Sequence, residues 1–382
     1  MDYAATSPTH EKVVEAMSPY YSEIYGNPSS VHSFGQEARD AVEGAREKIA
    51  KLIGAKPEEV FFTSGGTESD NWAIMGTAYA NQSKGKHIIT SAVEHHAVAE
   101  PVEFLKKNGW EVTVLHVDKF GLVDPEDVKK SITEKTILVS VMHANNEIGT
   151  IEPIAEISKI CREKGVTFHC DAVQTTGAID VKADELAVDL LSLSGHKFYG
   201  PKGVGALYIR KGTRIERFLR GGGQERGRRG STENVPAIVG MGVAAELAGK
   251  EINERHEHLT PLRDKLIKGV LEKVDESILN GHPTKRLPNN ANFCVKYCEG
   301  EAMLLNLDLK GVAASSGSAC TSGSLEASHV LLAIGLPHDI AHGSLRFTIG
   351  RMTTEEDVDY VIDILPGIVK KIRDISPLYK KK

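Results

Sequence analysis

Seven short, almost continuously apolar runs between residues 60 and 209 constrain this chain more than any other feature. They are Val60–Phe62, His87–Thr90, Val112–Leu115, Ile137–Val141, Thr167–Cys170, Leu190–Leu193 and Gly205–Ile209. A strand with one wet face alternates apolar and polar residues; a strand covered on both faces does not alternate. Segments with helical character, such as Glu68–Tyr79 and Ile154–Glu163, separate the runs. The pattern predicts a seven-stranded, mostly parallel α/β sheet with helices on both faces. Ahead of it, Ala38, Val42, Ala45, Ile49 and Leu52 recur every three or four residues, one face of a helix that Gly54 is placed to end.

Near residue 211 the pattern gives way to RFLRGGGQERGRRGSTEN, then a helical stretch over Val235–Asn253 and a charged bridge, INERHEHLTPLRDK. The domain boundary is placed in that bridge. The expected division is a large α/β domain over residues 15–254 and a smaller α+β domain from 1–14 and 255–382. In the latter, Asn292–Val295 and Leu345–Ile349 read as strands, and Glu301–Leu307 and Glu355–Arg373 as helices.

Composition excludes several classes. A net charge of -6 gives no support to nucleic-acid binding. No run of eighteen apolar residues suggests a membrane span, and the opening MDYAATSPT lacks a basic-then-apolar leader, so a cytoplasmic protein is expected. Five scattered cysteines suit a reducing compartment. Cys294 and Cys298 are spaced CxxxC without a second pair or a nearby histidine, and read as plain thiols, not a zinc site.

Ligands of open α/β sheets collect at the carboxyl ends of strands, and here those ends carry polar clusters. TSGGTESDN follows the first run: Gly65 and Gly66 permit a tight turn, and Thr67 opens a helix with free amides, which suits either a phosphate or a plain turn. It lacks the lysine of a nucleotide-binding P-loop. Asp171 ends another run, with Gln174 beyond it, and is either a helix cap or the partner of a cofactor ring nitrogen. Lys197, in SGHKFYGPKG, stands where a crevice could lower its basicity for Schiff-base chemistry, or is an ion-paired lysine. Cys320 lies among the small residues Ser315–Ser324, which offer little to bury a thiol, so it is a candidate nucleophile. Arg346, inside the apolar HGSLRFTIGR, needs an anionic partner, either a substrate carboxylate or an internal acid. His95 and His96 could stack on or protonate a ligand, or be structural.

Taken together, FTSGGTESDN, ANNEIGT, SGHKFYGPKG, GGGQERG and SSGSACTSGSLEASHVL resemble the NifS/IscS cysteine desulfurases of the class-V aminotransferase-like family, fold type I enzymes of pyridoxal 5'-phosphate (PLP). The resemblance extends from DYAAT to SPLY. It implies desulfuration of L-cysteine to L-alanine with a persulfide on Cys320, for iron–sulfur cluster assembly. Lys197 would carry PLP and act as general base. Asp171 would keep the ring nitrogen protonated, Gln174 and Asn146 would bond the ring oxygen, and His95 would stack on the ring and help move protons. Gly66, Thr67, Ser194 and His196 would grip the phosphate, with Thr232 reaching in from the second subunit of a homodimer. Arg346 would clamp the substrate carboxylate, with Asn27 close by. An iron–sulfur scaffold protein or another sulfur carrier would accept the sulfur. No metal site of the chain's own is implied, beyond Cys320 as a ligand to a cluster in a scaffold complex.

Three features depart from the family pattern. The usual RSGTEN is RGSTEN, exchanging Gly230 and Ser231; the usual SLEPS is SLEAS; and the end, ISPLYKKK, is shorter than the tails that help dock a scaffold.

Overall fold

The computed structural model describes residues 1–316, 327–376 and 379. Cys320 and most of its expected loop lie outside the described residues.

All seven apolar runs form strands: β1 (Val60–Thr63), β2 (His87–Ser91), β3 (Glu111–Leu115), β4 (Thr136–Ser140), β5 (Thr167–Asp171), β6 (Leu190–Ser194) and β7 (Gly205–Ile209). They make one sheet in the order β1-β7-β6-β5-β4-β2-β3. Only β7 runs against its neighbours, β1 and β6. Two reversals cancel, so β1, β2, β4, β5 and β6 all point their carboxyl ends to one edge. β1, β2, β4, β6 and β7 are buried at every position, which explains the absence of alternation. The helix Ser33–Leu52 buries Ala38, Val42, Ala45, Ile49 and Leu52, and Gly54 follows at φ 63°, the left-handed conformation glycine adopts without penalty.

Three elements differ from their sequence expectation. The helix expected over Glu68–Tyr79 contains a wide π-type turn at Trp72–Gly76, between Gly66–Asn71 and Thr77–Asn81. There the Trp72 indole N–H reaches the Glu216 carbonyl at 2.8 Å. The charged bridge is itself helical: one 39-residue helix runs from Val235 to Lys273. Its first half adds Val235, Ile238, Met241 and Ala248 to the core under the large sheet. Its second half adds Leu259, Leu262, Leu266 and Val270 to a second core. That core backs an antiparallel sheet of β8 (Ser277–Asn280), β9 (Asn290–Val295) and β10 (Ser344–Thr348), in which β8 carries too weak an apolar run to stand out in sequence. The helices Gly300–Asp308 and Glu355–Ile375 complete the second core. The architecture is that expected of fold type I: a large mixed, mostly parallel sheet and a smaller sheet with its own helices.

Among the described residues, no helix is long and apolar enough to cross a membrane. Cys161, Cys170, Cys294 and Cys298 are free and buried, and no described group of His, Cys, Asp and Glu is arranged to hold a metal.

The exchange of Gly230 and Ser231 has a visible consequence. Ser231 stands at φ 85°, where a side chain is strained, while a Cβ at Gly230 would lie 2.8 Å from the backbone of Gly221. The exchange thus puts the strain on the residue with a side chain and keeps the tight backbone approach open. Ser231→Gly should therefore raise stability by about 1 kcal/mol, and Gly230→Ala should lower it; urea unfolding midpoints of the two variants check both signs.

Candidate active site

The carboxyl ends of five strands and one strand of the small sheet converge on a pair of adjoining cavities of about 230 and 210 Å³ that share Ala5, His95, Asn146, Gln174 and Lys197. Gly66, Thr67, Asp171, Ser194 and His196 line the first, and Arg346 lines the second. Ten of the expected site residues are thereby brought together. Thr232 and Asn27 are exposed and line neither cavity; the Asn27 side chain accepts from the Ser29 amide at 2.9 Å. Cys320 lies outside the described residues.

At the end of β1, Gly65 takes φ 156° and ψ 179°, a conformation essentially confined to glycine, and turns the chain into the helix Gly66–Asn71. A Cβ at Gly66 would come within 2.8 Å of Val173, so glycine keeps this wall of the cradle open. A further pocket of about 400 Å³ opens from Gly66, Thr67, Ser194 and His196 towards Lys202. Small residues, a hydroxyl, backbone amides and a lysine are a donor set for an anion such as phosphate. Beside it, the Arg229 guanidinium makes a two-pronged bond to Glu68, at 2.6 and 3.0 Å, which ties the Thr232 segment to the cradle.

Asp171, at the end of β5, is 5% exposed and accepts from the Val173 amide at 2.8 Å. Burial, helped by the nearby Asp70, pushes its carboxyl up to about 7. Asp70 is also driven up to about 7 by burial, and it lies 3.5 Å from His169, which burial holds down at about 4. Burial thus disfavours the charged form of both partners in that contact. His169 bridges the hydroxyls of Ser140 and Ser192 at 2.8 and 2.9 Å, a polar floor beneath Asp171 that the sequence did not single out. A buried carboxylate of this kind is stabilised by a cationic ring N–H, the partner that PLP offers.

Lys197 follows β6 in a short 3-10 turn, Gly195–Lys197. Its ammonium donates to the carbonyls of Ala4 and Ala5, the latter at 2.9 Å. Gln174 reaches the Ala4 carbonyl too, at 3.2 Å. His95 caps the helix His96–Lys107 by accepting from the Ala97 amide at 3.1 Å. Burial, then Lys197, His96 and His329, lower its pKa to about 4, so it is a neutral imidazole at pH 7. The His329 ring lies 5.1 Å from that of His96, and its Nε2 is 2.9 Å from the Glu94 carbonyl oxygen.

Arg346, in β10, is 2% exposed. One terminal nitrogen donates to the Asn146 carbonyl at 2.8 Å and the other to Asp2 at 3.1 Å, while Nε has no partner among the described residues. The internal acid that its burial required is thus Asp2. The remaining N–H leaves room for a second, external carboxylate.

The family model described as Aminotransferase class-V matches residues 1–361. The chain belongs to that family. Within it the chain is a member of the NifS/IscS cysteine desulfurases. A cysteine desulfurase IscS of Dictyoglomus turgidum is 60% identical over 382 residues, covering 100% of this chain and 97% of that protein. The IscS of Methanosarcina thermophila is 56% identical, with 100% and 94% covered. A solved NifS-like protein superposes with a TM-score of 0.91 at 40% identity, covering 97% of this chain and 98% of the other. The structure described as SspA in complex with cysteine gives a TM-score of 0.80 at 36% identity, with 91% and 97% covered. Family membership implies PLP as cofactor, and the cavity fits it: an anion cradle, a buried carboxylate and an amine-bearing lysine line one space.

Around this site the family fold buries several acids. Glu152 is 3% exposed; one oxygen accepts from the Val123 amide at 2.9 Å and the other has no partner among the described residues. Burial pushes its pKa up to about 8. A raised acid stabilises the fold fully below its unfolded pKa, near 4.5, and that contribution is lost as pH rises through about 8. Glu152→Gln, which cannot ionise, should therefore gain thermal stability over the unmodified protein as pH rises from 5 to 8. A gain on the order of 2 °C or more is expected, and melting curves across this range check it.

Proposed function

We propose that this protein is a PLP-dependent cysteine desulfurase that converts L-cysteine to L-alanine and leaves the sulfur as a persulfide on Cys320. The observation that carries the reading is the convergence of Lys197, Asp171, His95, an anion cradle and Arg346 on one connected space. The IscS relatives at 60% and 56% identity support the same reading.

Lys197 would hold PLP, Asp171 would pair with its ring nitrogen, Gln174 and Asn146 with the ring oxygen, and Gly66, Thr67, Ser194 and His196 with its phosphate. When bound, PLP supplies an electron-withdrawing ring that accepts the electron pair left as a substrate bond breaks. Arg346 binds the substrate carboxylate and fixes which bond at Cα faces Lys197. The Lys197 amine takes the proton from Cα. His95, neutral at working pH, would stack against the ring and relay protons. The Cys320 thiolate bonds to the substrate sulfur as the Cβ–S bond breaks, and the three-carbon remainder, protonated at Cβ and given back a proton at Cα by Lys197, leaves as alanine. An external thiol then reduces the persulfide and releases sulfide, or an acceptor protein takes the sulfur.

We also infer a homodimer, in which the exposed Thr232 serves the partner's phosphate cradle, and transfer of sulfur to an iron–sulfur scaffold protein or another sulfur carrier. Asn27 is proposed to approach the substrate carboxylate in that assembly. Residues 15–254 and the pair 1–14 and 255–382 are proposed as the domains. A cytoplasmic location is proposed with them.

The test is an assay of the yellow, PLP-loaded protein with L-cysteine and a reductant. Sulfide and alanine should form in equal amounts, and Cys320→Ala should abolish both with the cofactor absorbance intact. Alanine or pyruvate formed independently of Cys320 would instead indicate another reaction of this fold. Arg346→Lys loses the planar fork that suits a carboxylate, so the KM for cysteine should rise by about tenfold or more, measured by initial rates.

A further inference from the structure

Ser315 and Ser328 are described residues on either side of the segment bearing Cys320, and both are bonded to the fold. At the first point, Ser315 and Arg346 exchange two backbone hydrogen bonds, of 3.1 Å from the Ser315 amide and 2.6 Å from the Arg346 amide. At the second, the Ser328 hydroxyl donates to a carboxyl oxygen of Glu147 at 2.5 Å, while the same oxygen of Ser328 accepts from the Leu331 amide at 3.3 Å and caps the helix His329–Ala333.

Glu147 is fixed from every side. Its amide donates to the Asn145 side chain at 2.8 Å, and its carbonyl accepts from the side chains of Asn290 and Asn292, each at 3.1 Å. Asn292 is the register partner of Arg346 across β9 and β10. The preceding carbonyl, of Asn146, takes the Arg346 guanidinium at 2.8 Å. One connected set of bonds therefore runs Ser315–Arg346–Asn146–Glu147–Ser328, and both roots of the cysteine segment are tied to the arginine expected to hold the substrate. Glu147 and Ser328 are 3% and 7% exposed, so water does not compete for their contact. Burial raises Glu147 to about 7, with Arg346 opposing, so its buried carboxyl is held by this one hydroxyl and the nearby guanidinium.

We propose that Glu147 is a positioning residue for the sulfur-transfer step: through Ser328 it fixes the returning root of the cysteine segment relative to the Arg346 clamp. The proposal rests on the reading of Cys320 as sulfur acceptor. It assigns Glu147 no contact with the reacting atoms. Its effect falls on the rate at which Cys320 takes sulfur, and not on loading of the cofactor.

The test is single-turnover mixing of PLP-loaded protein with L-cysteine, without reductant, scoring the persulfide on Cys320 by mass spectrometry and the absorbance response of bound PLP in parallel. Ser328→Ala should slow persulfide formation by about tenfold or more, while PLP affinity and the cysteine concentration for half-maximal absorbance response stay within about twofold. Ser328→Thr, which keeps the hydroxyl, and Glu147→Gln, which keeps an acceptor, should restore the rate to within about threefold. Glu147→Ala leaves the helix cap intact and should slow persulfide formation as Ser328→Ala does, which separates the contact from the cap. Persulfide formation at the normal rate in Ser328→Ala, or a parallel loss of PLP affinity and absorbance response, would overturn the proposal. Absence of persulfide on Cys320 in the unmodified protein would instead sink the functional reading beneath it, and the two failures are told apart by that one control.

Discussion

The site depends on the segment Asp2 to Ser7, which turns at Tyr3–Ala5 and bonds to both sheets. On one side Tyr3 and Ala4 donate to the carbonyl and hydroxyl of Thr348 in β10, and Asp2 takes the Arg346 guanidinium. On the other, Ala4 and Ala5 accept from Lys197, Ala4 from Gln174, and Ser7 bonds to the His196 carbonyl through both its amide and its hydroxyl. Six residues thus hold the amine and the arginine in one frame, although those two side chains arise from different sheets. Such a frame uses main-chain amides and carbonyls as its bonding groups, and each of these six residues carries both.

Electrostatics at the floor of the cavity follows from burial. Asp70, Glu94, Glu147 and Glu152 are all driven upward by desolvation, and His143 and His169 downward, so this layer favours neutral groups. Asp171 shares the layer and is raised by the same burial, but it faces the cavity beside Lys197, which opposes that rise. A cationic ring arriving there meets a carboxylate with few competing partners, in surroundings that weaken an opposite charge little.

Much of this was legible in the sequence. The seven strands were: burial on both faces removes polar residues from most of them and leaves an unmistakable run, while β3, exposed at Glu111 and Val114, still shows its apolar Val112, Val114 and Leu115. The site residues gathered at the strand ends were too, since Asp171, Ser194, Lys197 and the Gly65–Thr67 turn each follow such a run. Less legible was β8, Ser277–Asn280, which is only part-buried at three of its four positions and has no comparable run. The helix through INERHEHLTPLRDK was misread as a bridge because its charged residues outnumber the buried Leu259 and Leu262, and two of those charged residues, Arg255 and Arg263, are themselves buried. The Ala4 and Ala5 carbonyls could not be found by residue type at all, because any residue carries a carbonyl. Glu147 stood inside ANNEIGT, yet an acid in a motif points to no partner until the fold brings Ser328 to it.

The helix Val235–Lys273 belongs to both hydrophobic cores, and at about 1.5 Å per residue it is a beam on the order of 58 Å long. A beam shared by two bodies forbids them to slide past one another and leaves flexing as the remaining relative motion. The stiffness along it is uneven, because Pro261 has no N–H to bond back to the preceding turn. Pro261 lies between Leu259 and Leu262, so flexure concentrates where the helix enters the second core. Since Arg346 rides with the second core and Lys197 with the first sheet, small bending at that proline alters the spacing between clamp and amine before it disturbs either core.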